Sequence, residues 1–241
     1  MSALARLGSV LLGLALAIPI ASSAPIVGSV VAAGGLPACA YKDLITPARS
    51  YSRYSYTLLD TIYKVPRSYA PGDLRSTGVS GGGQVRALVV RDLRAMFAAA
   101  RRSGAALTIR SSYRSYSTQV ATFNYWVRIG GFKAALHTSA RPGHSEHQLG
   151  TVLDVTSYGG RAPWDYPDWG ATKAGAWMRN NARTFGFVMS YPKGKSRITC
   201  YSYEPWHFRY VGEATAKAKA IHDSGLAPRE WIWLHPKGLN G

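Results

Sequence analysis

The side chains that can bind a metal or move a proton are scarce in this chain, and six of them lie in two clusters. The sequence of 241 residues has 12 acidic residues and 6 histidines. The clusters consist of His144, Glu146, His147 and Asp154, and of Glu204 and His207. Two histidines and a carboxylate around an open fourth position make a catalytic zinc site, so zinc chemistry is what the clusters predict.

Within the first cluster the spacing favours His147 and Asp154 as metal ligands. Gly150 lies between them and permits a turn, so that a loop can deliver His147 and the following strand can present Asp154. His144 competes with His147 for this role, because spacing alone does not exclude it. A third ligand, and a carboxylate that acts on bound water, must then come from the second cluster.

Glu204 and His207 pose a geometric problem, because residues three apart on a regular strand point to opposite faces. Pro205 cannot donate to a sheet ladder and is typical of a strand start or a bulge. We therefore expect Glu204 to lie just outside the strand, where it reaches the bound water while His207 reaches the metal. The alternative is that Glu204 caps a local turn and His207 packs among aromatic neighbours.

Hydrophobic periodicity predicts the elements that must hold these side chains. Helices are expected at 84–102, 116–129, 132–137, 171–184 and 212–224, with a short one near 56–63. Strands are expected at 107–112, 151–156, 187–190 and 205–211. Because no regular βαβ rhythm occurs, we predict an α+β fold with a central, largely antiparallel sheet.

The N-terminus differs in composition from the rest of the chain. No charged residue occurs between Arg6 and Lys42, and small and aliphatic residues dominate this stretch. We predict that residues 1–36 are a secretory signal peptide, or an anchor if they are retained, and that the protein is exported to the cell wall or beyond. Residues 37–80 are expected to be an irregular segment that packs on a catalytic domain of residues 81–241.

The net charge of +17 limits the classes of partner that the protein is expected to bind. Its basic residues are scattered in ones and twos without an aromatic nucleic-acid motif, which argues against nucleic-acid binding. An exported basic protein is expected to meet an anionic cell envelope. We expect it to be a monomer that touches a membrane only through an uncleaved N-terminal segment.

The two cysteines, Cys39 and Cys200, predict one disulfide in an exported chain. Such a bond would close a loop of roughly 160 residues, for which the chain-entropy model gives about 5 kcal/mol of stabilisation, and strain in the folded protein reduces this value. It would also pin the irregular segment that follows Cys39 beside Glu204, because Cys200 lies just before Glu204.

Three short stretches of the chain form motifs. Residues 145–154 read Ser-Glu-His-Gln-Leu-Gly-Thr-Val-Leu-Asp, residues 204–207 read Glu-Pro-Trp-His, and residues 111–115 read Ser-Ser-Tyr-Arg-Ser, with Gln119 following. They resemble the S-x-H-x-x-G-x-x-x-D, E-x-W-H and S-x-Y-R-S-x-x-x-Q motifs of the VanY-type D-alanyl-D-alanine carboxypeptidases. The resemblance covers roughly residues 69–233 and implies the zinc fold shared with VanX dipeptidases and the hedgehog signalling domain. In that fold the antiparallel sheet is flanked by helices and the zinc site lies on the sheet.

The resemblance implies one zinc ion per chain and a role for each matching residue. Its ligands would be His147, Asp154 and His207. Glu204 would be the general base that takes a proton from zinc-bound water. Arg114 would polarise the scissile carbonyl and stabilise the oxyanion, since its guanidinium stays charged.

The same resemblance predicts the roles of four further polar residues. Ser145 and Gln119 would hold the terminal carboxylate or the backbone of the substrate. His144 matches no ligand of the family. Glu146 stands at a variable position of its motif, so we expect it to be solvated or to lie behind a ligand.

The expected activity is hydrolysis of the terminal D-alanine from peptidoglycan stem peptides by Glu-assisted attack of zinc-bound water. An L,D-carboxypeptidase or a peptidoglycan endopeptidase would use the same residues, because the choice of bond depends on the shape of the pocket. The alternative from a different class is a wall-binding module that keeps the zinc fold without turnover. The intact ligand set, together with Glu204 and Arg114, argues against that module.

Overall fold

The computed structural model describes residues 35–46, 54–55, 57–212 and 216–235. All of the predicted signal or anchor segment except residues 35 and 36 lies outside these ranges. From Leu36 onwards the chain forms one compact unit. Among the described residues, no helix combines the length and the apolar character needed to cross a bilayer. The domain boundaries at residues 36 and 80 stay predictions.

Two small sheets precede the first helix. Strands β1 (Leu44–Ile45) and β2 (Tyr63–Lys64) pair in parallel, and β3 (Leu74–Ser76) and β4 (Gln84–Arg86) pair antiparallel. The helix predicted near 56–63 is absent from described residues 57–63. Asp60 Oδ1 accepts hydrogen bonds from the backbone N–H groups of residues 62 and 63, at 2.7 and 2.8 Å. These local bonds compete with a helix for the same donors.

Helix α1 (Ala87–Arg102) begins three residues later than its apolar pattern predicts. Residues 84–86 pair with β3 instead, because the three glycines before them form the turn of a hairpin. The buried face of the helix repeats at helical spacing and packs on the main sheet. This face consists of Val89, Leu93, Met96, Phe97 and Ala100.

Helix α2 follows the first strand of the main sheet, β5 (Leu107–Ser111), and occupies Tyr116–Thr138. Gly131, with φ of 81°, interrupts its helical backbone with a kink. The two helices predicted at 116–129 and 132–137 are therefore confirmed, and they follow each other directly on either side of this kink. A short 3₁₀ turn, Glu146–Leu149, then leads into β6 (Val152–Ser157).

The main sheet is completed by the second half of the chain. Helix α3 (Lys173–Asn181) precedes β7 (Phe187–Met189), and the single turn α4 (Ser196–Thr199) precedes β8 (His207–Tyr210). The sheet order is β5-β6-β8-β7, and all three pairings are antiparallel. The prediction of a central antiparallel sheet flanked by helices is confirmed.

Two short helices, α5 (Ala216–Asp223) and α6 (Pro228–Leu234), end the described chain. The first agrees with the helix predicted at 212–224, of which residues 213–215 lie outside the described residues. The second was not predicted, since its seven residues are too few for a clear period. Trp231 and Ile232 bury it against Leu58 and Val188.

The predicted disulfide is confirmed, with Cys39 and Cys200 joined and their Cα atoms 5.4 Å apart. A buried ion pair lies in the same part of the molecule, where Arg229 Nε donates to Asp60 Oδ2 at 2.6 Å. Arg229 also donates to the Pro37 carbonyl at 3.1 Å. Residues near Cys39 and Asp60 are therefore held to the C-terminal half by covalent and ionic contacts.

Candidate metal centre and active-site cleft

Adjacent strands bring two of the predicted ligands together. Asp154 in β6 and His207 at the start of β8 are directly paired in the antiparallel ladder. The third, His147, lies in the 3₁₀ turn that precedes β6. Gly150 ends that turn with φ of 71°, and a Cβ on it would come within 3.0 Å of the Arg86 side chain, so only glycine fits there easily.

One nitrogen or oxygen atom from each of the three side chains lies within 4.8 Å of the others. His147 Nε2 is 3.1 Å from Asp154 Oδ2, and His207 Nδ1 is 3.1 Å from Asp154 Oδ1. All three residues are buried. This donor set, two imidazoles and a carboxylate, is one of those that hold catalytic zinc.

The protonation of His147 fits a cation at this place. Its Nδ1 donates to the Ser112 carbonyl oxygen at 2.6 Å, so in the neutral ring Nε2 carries a lone pair. Nε2 is buried without a hydrogen-bond partner among the described residues, and it faces Asp154. Burial, and then the charge of Arg114, lower the pKa of His147 to about 4, which keeps the ring neutral and ready to bind a metal.

Glu146 orients the imidazole of His207 through a hydrogen bond to Nε2. His207 Nε2 donates to Glu146 Oε2 at 3.0 Å, which leaves Nδ1 directed at Asp154. Burial alone would lower the pKa of His207, but the hydrogen bonds to Asp154 and Glu146 raise it to about 10. A metal ion would have to replace the proton on Nδ1, and metal sites commonly hold their histidines through such a carboxylate.

Glu146 is buried rather than solvated, and it stands at the centre of a network that the motif does not reveal. Ser190 Oγ donates to its Oε2 at 2.6 Å, and Arg209 Nη1 donates to its Oε1 at 2.7 Å. Arg209 is fully buried and also donates to the carbonyls of Tyr54 and Thr57, each at 2.7 Å. Burial alone would raise the pKa of Glu146, but Arg209, His207 and Ser190 hold it at about 2.

Glu204 lies outside β8, as its spacing from His207 predicts. The His207 N–H donates to the Glu204 carbonyl at 3.2 Å, which forms a turn across Pro205. This turn brings Glu204 Oε2 to 3.6 Å from His207 Nδ1. Burial, and then the neighbouring charges of Asp154 and Glu146, raise the pKa of Glu204 to about 8, against the effect of His207 and Arg114. A carboxyl with such a pKa can both accept and release a proton near neutral pH.

Arg114 points into the same centre from the segment after β5. Its Nη1 donates to Ser111 Oγ at 2.7 Å and lies 3.4 Å from Asp154 Oδ2. Its Nε donates to Gln119 Oε1 at 2.8 Å. The guanidinium is thus held in one orientation beside the predicted ligands.

Gln119 and Ser145 differ in their access to substrate. Ser145 lines the cleft, so it is placed where a substrate contact is expected. Gln119 is fully buried, and its Nε2 donates to the Ala140 carbonyl at 2.7 Å while its Oε1 accepts from Arg114. The expected substrate contact of Gln119 is therefore corrected, because both ends of its amide are used within the protein. Gln119 orients Arg114.

His144 takes no part in the centre. Its Nδ1 lies 2.7 Å from the Asp60 carbonyl oxygen and its Nε2 lies 2.8 Å from Asp43 Oδ1. His144 is therefore not placed to act as a metal ligand instead of His147, since both of its ring nitrogens contact the N-terminal part of the unit. His144 ties the 139–150 loop to that part of the chain.

The centre lies at the bottom of a cleft of about 600 Å³. Besides the polar residues already described, its walls carry several aromatic rings and one further arginine. These are Tyr125, Trp126, Trp164, Tyr191, Tyr201, Tyr203, Trp206 and Arg110. An open cleft with a cation-binding set, a carboxyl and a guanidinium at its base is suited to polarising and hydrolysing a carbonyl compound.

Comparisons with known proteins point to one family. A family model described as VanY, D-alanyl-D-alanine carboxypeptidase, matches residues 82–213. A D-alanyl-D-alanine carboxypeptidase of Enterococcus faecalis is 30% identical over an alignment of 191 positions, which covers 74% of this chain and 66% of the relative. The chain thus spans about two thirds of the length of that relative.

Two solved structures share the fold. The LdcB LD-carboxypeptidase superposes with a TM-score of 0.66 and 35% identity over 74% of this chain and 87% of its own. The second is a variant of the D,D-pentapeptidase VanY from a VanB-type resistance cassette, in complex with Zn(II). It superposes with a TM-score of 0.63 and 29% identity over 74% of this chain and 99% of its own. A fold relative therefore holds zinc, and this chain has a His/Asp/His group that could do so.

Proposed function

Since the chain belongs to the VanY family of D-alanyl-D-alanine carboxypeptidases, we propose that it is a zinc-dependent D,D-carboxypeptidase. Its substrates would be peptidoglycan stem peptides, from which it releases the terminal D-alanine. The observation that carries the proposal is the buried His147 Nε2, which has no hydrogen-bond partner among the described residues and faces Asp154. A buried lone pair 3.1 Å from a carboxylate oxygen is unfavourable unless a cation offsets the repulsion between them.

The proposed ligands are His147, Asp154 and His207. When bound there, zinc supplies a Lewis acid for the scissile carbonyl and lowers the pKa of water. Glu204 accepts the proton of the attacking water and passes it to the leaving amine, which its raised pKa favours. Arg114, oriented by its neighbours, stabilises the negative charge that develops on the carbonyl oxygen.

An L,D-carboxypeptidase is the second candidate. It is supported by the likeness to LdcB, whose TM-score of 0.66 and identity of 35% exceed the 0.63 and 29% of the D,D-pentapeptidase. The same residues would serve both reactions, because the chemistry at the scissile carbonyl is identical. The two candidates differ only in the residue that the cleft accepts before the terminal D-alanine.

Defined stem peptides test the proposal. The zinc-loaded protein is incubated with a pentapeptide ending in D-Ala-D-Ala and with the tetrapeptide that lacks the last residue, and the products are read by mass spectrometry. Conversion of pentapeptide to tetrapeptide supports the D,D-activity, and conversion of tetrapeptide to tripeptide supports the L,D-activity. Cleavage of cross-linked dimers alone would indicate an endopeptidase. Zinc binding without any product would favour a wall-binding module and overturn the proposal.

The site of action belongs to the same proposal. We propose that the protein works outside the cytoplasm, in the anionic cell envelope. The disulfide between Cys39 and Cys200 supports this, because such bonds persist in oxidising compartments. The net charge of +17 supports attraction to anionic wall polymers. Fractionation of the producing cells, with the protein followed by an antibody, tests the location.

A further inference from the structure

Arg110 lines the same cleft as the proposed metal ligands, and the proposed chemistry does not use it. It lies in β5 at an irregularity of the sheet. Ile109 pairs with Val155 and Ser111 pairs with Asp154, so Arg110 is the extra residue between two consecutive pairs. Such a bulge redirects a side chain, and bulges are frequent next to active sites.

The bulge has a specific consequence for the cleft. On a regular strand Arg110 and Ser111 would point to opposite faces of the sheet. Here both line the cleft, and Ser111 additionally accepts a hydrogen bond from Arg114. The local irregularity of β5 therefore places a second guanidinium on the wall, apart from the one at the centre.

Among the described residues, no carboxylate compensates the charge of Arg110. Its side chain is exposed, and it forms no ion pair with a carboxylate of the described residues. The two acidic residues that line the cleft are Asp154 and Glu204. Asp154 contacts both histidines, and Glu204 lies beside His207. The described part of the cleft thus contains an exposed arginine that is free to pair with a carboxylate of a ligand.

Aromatic rings surround the path from the metal centre into the open cleft. Trp206 contacts Trp164 with ring centroids 6.2 Å apart, and Trp164 contacts Trp126 at 5.9 Å. Tyr125 continues this row at 5.3 Å from Trp126. An apolar wall excludes water from one side of a bound ligand, which strengthens an ion pair formed there.

We propose that Arg110 binds a carboxylate of the peptide substrate on the amino side of the scissile bond. This inference rests on the proposed carboxypeptidase function. Only one residue of such a substrate leaves on the carboxyl side, so the rest of the peptide must run out along the cleft. Stem peptides carry carboxylates in that part, at the γ-linked D-glutamate and, in diaminopimelate-type peptides, at the third residue. Amidation of either group removes its charge.

Matched substrates test the inference. Four pentapeptides are compared, with both carboxylates free, with either one amidated, and with both amidated. For the wild-type protein we expect kcat/KM to fall about tenfold on amidation of the contacted carboxylate, mainly through KM, because a charge-assisted hydrogen bond is lost. The singly amidated peptides identify which of the two groups is recognised. Calorimetric Kd values for the same peptides give a readout that does not depend on turnover.

Two variants complete the test. Arg110→Gln should lower kcat/KM for the free peptide about tenfold and leave the doubly amidated peptide unchanged, so that the preference disappears. Arg110→Lys should keep part of the preference for the free carboxylate, because the positive charge remains while the planar guanidinium, which can bind a carboxylate through two hydrogen bonds, is lost. Arg128→Gln removes an equal charge from an exposed position of α2 that does not line the cleft, and it should keep the wild-type preference.

The outcomes separate this inference from the proposed function. If the wild-type protein cleaves all four peptides equally well, or if Arg110→Gln weakens all four equally, Arg110 does not read a carboxylate and the inference is overturned while the carboxypeptidase function stands. If the wild-type protein releases D-alanine from none of them, the proposed function fails instead. A loss of preference in Arg110→Gln, with retention in Arg128→Gln, supports the inference.

Discussion

The metal centre and the N-terminal junction are both buried and polar, but they satisfy their charges in opposite ways. The N-terminal junction comprises Asp60 and Arg229. One Asp60 oxygen accepts from Arg229 and the other from two backbone N–H groups. In the candidate metal centre, by contrast, the lone pair on His147 Nε2 has no hydrogen-bond partner among the described residues and faces a carboxylate, and Glu204 lies close by with a raised pKa.

The difference separates structural from functional polar groups. A buried ion pair whose atoms all have hydrogen-bond partners changes the free energy of folding only slightly. Removal of one partner is strongly destabilising, because it leaves the other charge buried and unpaired. Buried groups without partners cost free energy unless a ligand completes them. We therefore expect substitutions in the junction to change stability and substitutions in the centre to change metal binding or catalysis.

Removal of the proposed general base should have the largest effect. Glu204→Gln is expected to lower kcat for D-alanine release by about 10²–10⁴-fold, because the amide cannot accept the proton of the attacking water. Zinc content and the melting temperature should stay at wild-type values, since the amide has nearly the same shape. Release at the wild-type rate would show that Glu204 is not the base.

Removal of the buried guanidinium in the junction comes next. Arg229→Met should lower the free energy of unfolding by about 3–5 kcal/mol, because it leaves the Asp60 carboxylate buried without its partner. Urea unfolding of the zinc-free protein measures this without a contribution from metal binding.

The double variant Asp60→Asn/Arg229→Met is the matched control and should recover part of the loss, since the uncompensated charge is gone. Zinc affinity of the folded single variant should remain close to that of the wild type. A selective loss of zinc affinity with unchanged stability would break the distinction between the two regions.

Loss of the disulfide should be somewhat milder. Cys39→Ser/Cys200→Ser is expected to cost about 2–4 kcal/mol, which corresponds to a melting temperature lower by about 5–15 °C for a chain of this size. Calorimetry of the wild-type protein with and without reductant, and of the double variant, measures the change. Reductant should have no effect on the variant, and equal melting temperatures for all samples would contradict the prediction.

The smallest expected effect on the site concerns the carboxylate behind His207. Glu146→Gln should weaken zinc binding of the folded protein about 10–100-fold, because the carboxylate that orients the imidazole loses its charge. The same variant should also lower stability, because the buried Arg209 loses its counter-charge. Competition with a chromophoric chelator gives the Kd. Ser190→Ala, which removes one hydrogen bond to the same oxygen, should weaken binding less. If the two variants bind zinc equally well, the charge of Glu146 does not act on the site.

The sequence alone determined the features that depend on short-range pattern. The apolar face of α1 was predictable because side chains of one helical face recur every three or four residues. The antiparallel sheet was predictable from short β-rich stretches without a βαβ rhythm. The spacing of His147, Asp154, Glu204 and His207, together with the family motifs, marked the residues of the centre before any distance was known.

Only the tertiary structure decided which polar residues stand behind that centre. Glu146 and Arg209 are far apart in the chain and meet because the turn before β6 lies against β8, so no local pattern reveals their contact. Gln119 looks like a substrate contact in the motif but is buried behind Arg114. The physical reason is that burial and pairing of charges depend on contacts between distant segments, whereas periodicity and spacing report only on neighbours in the chain.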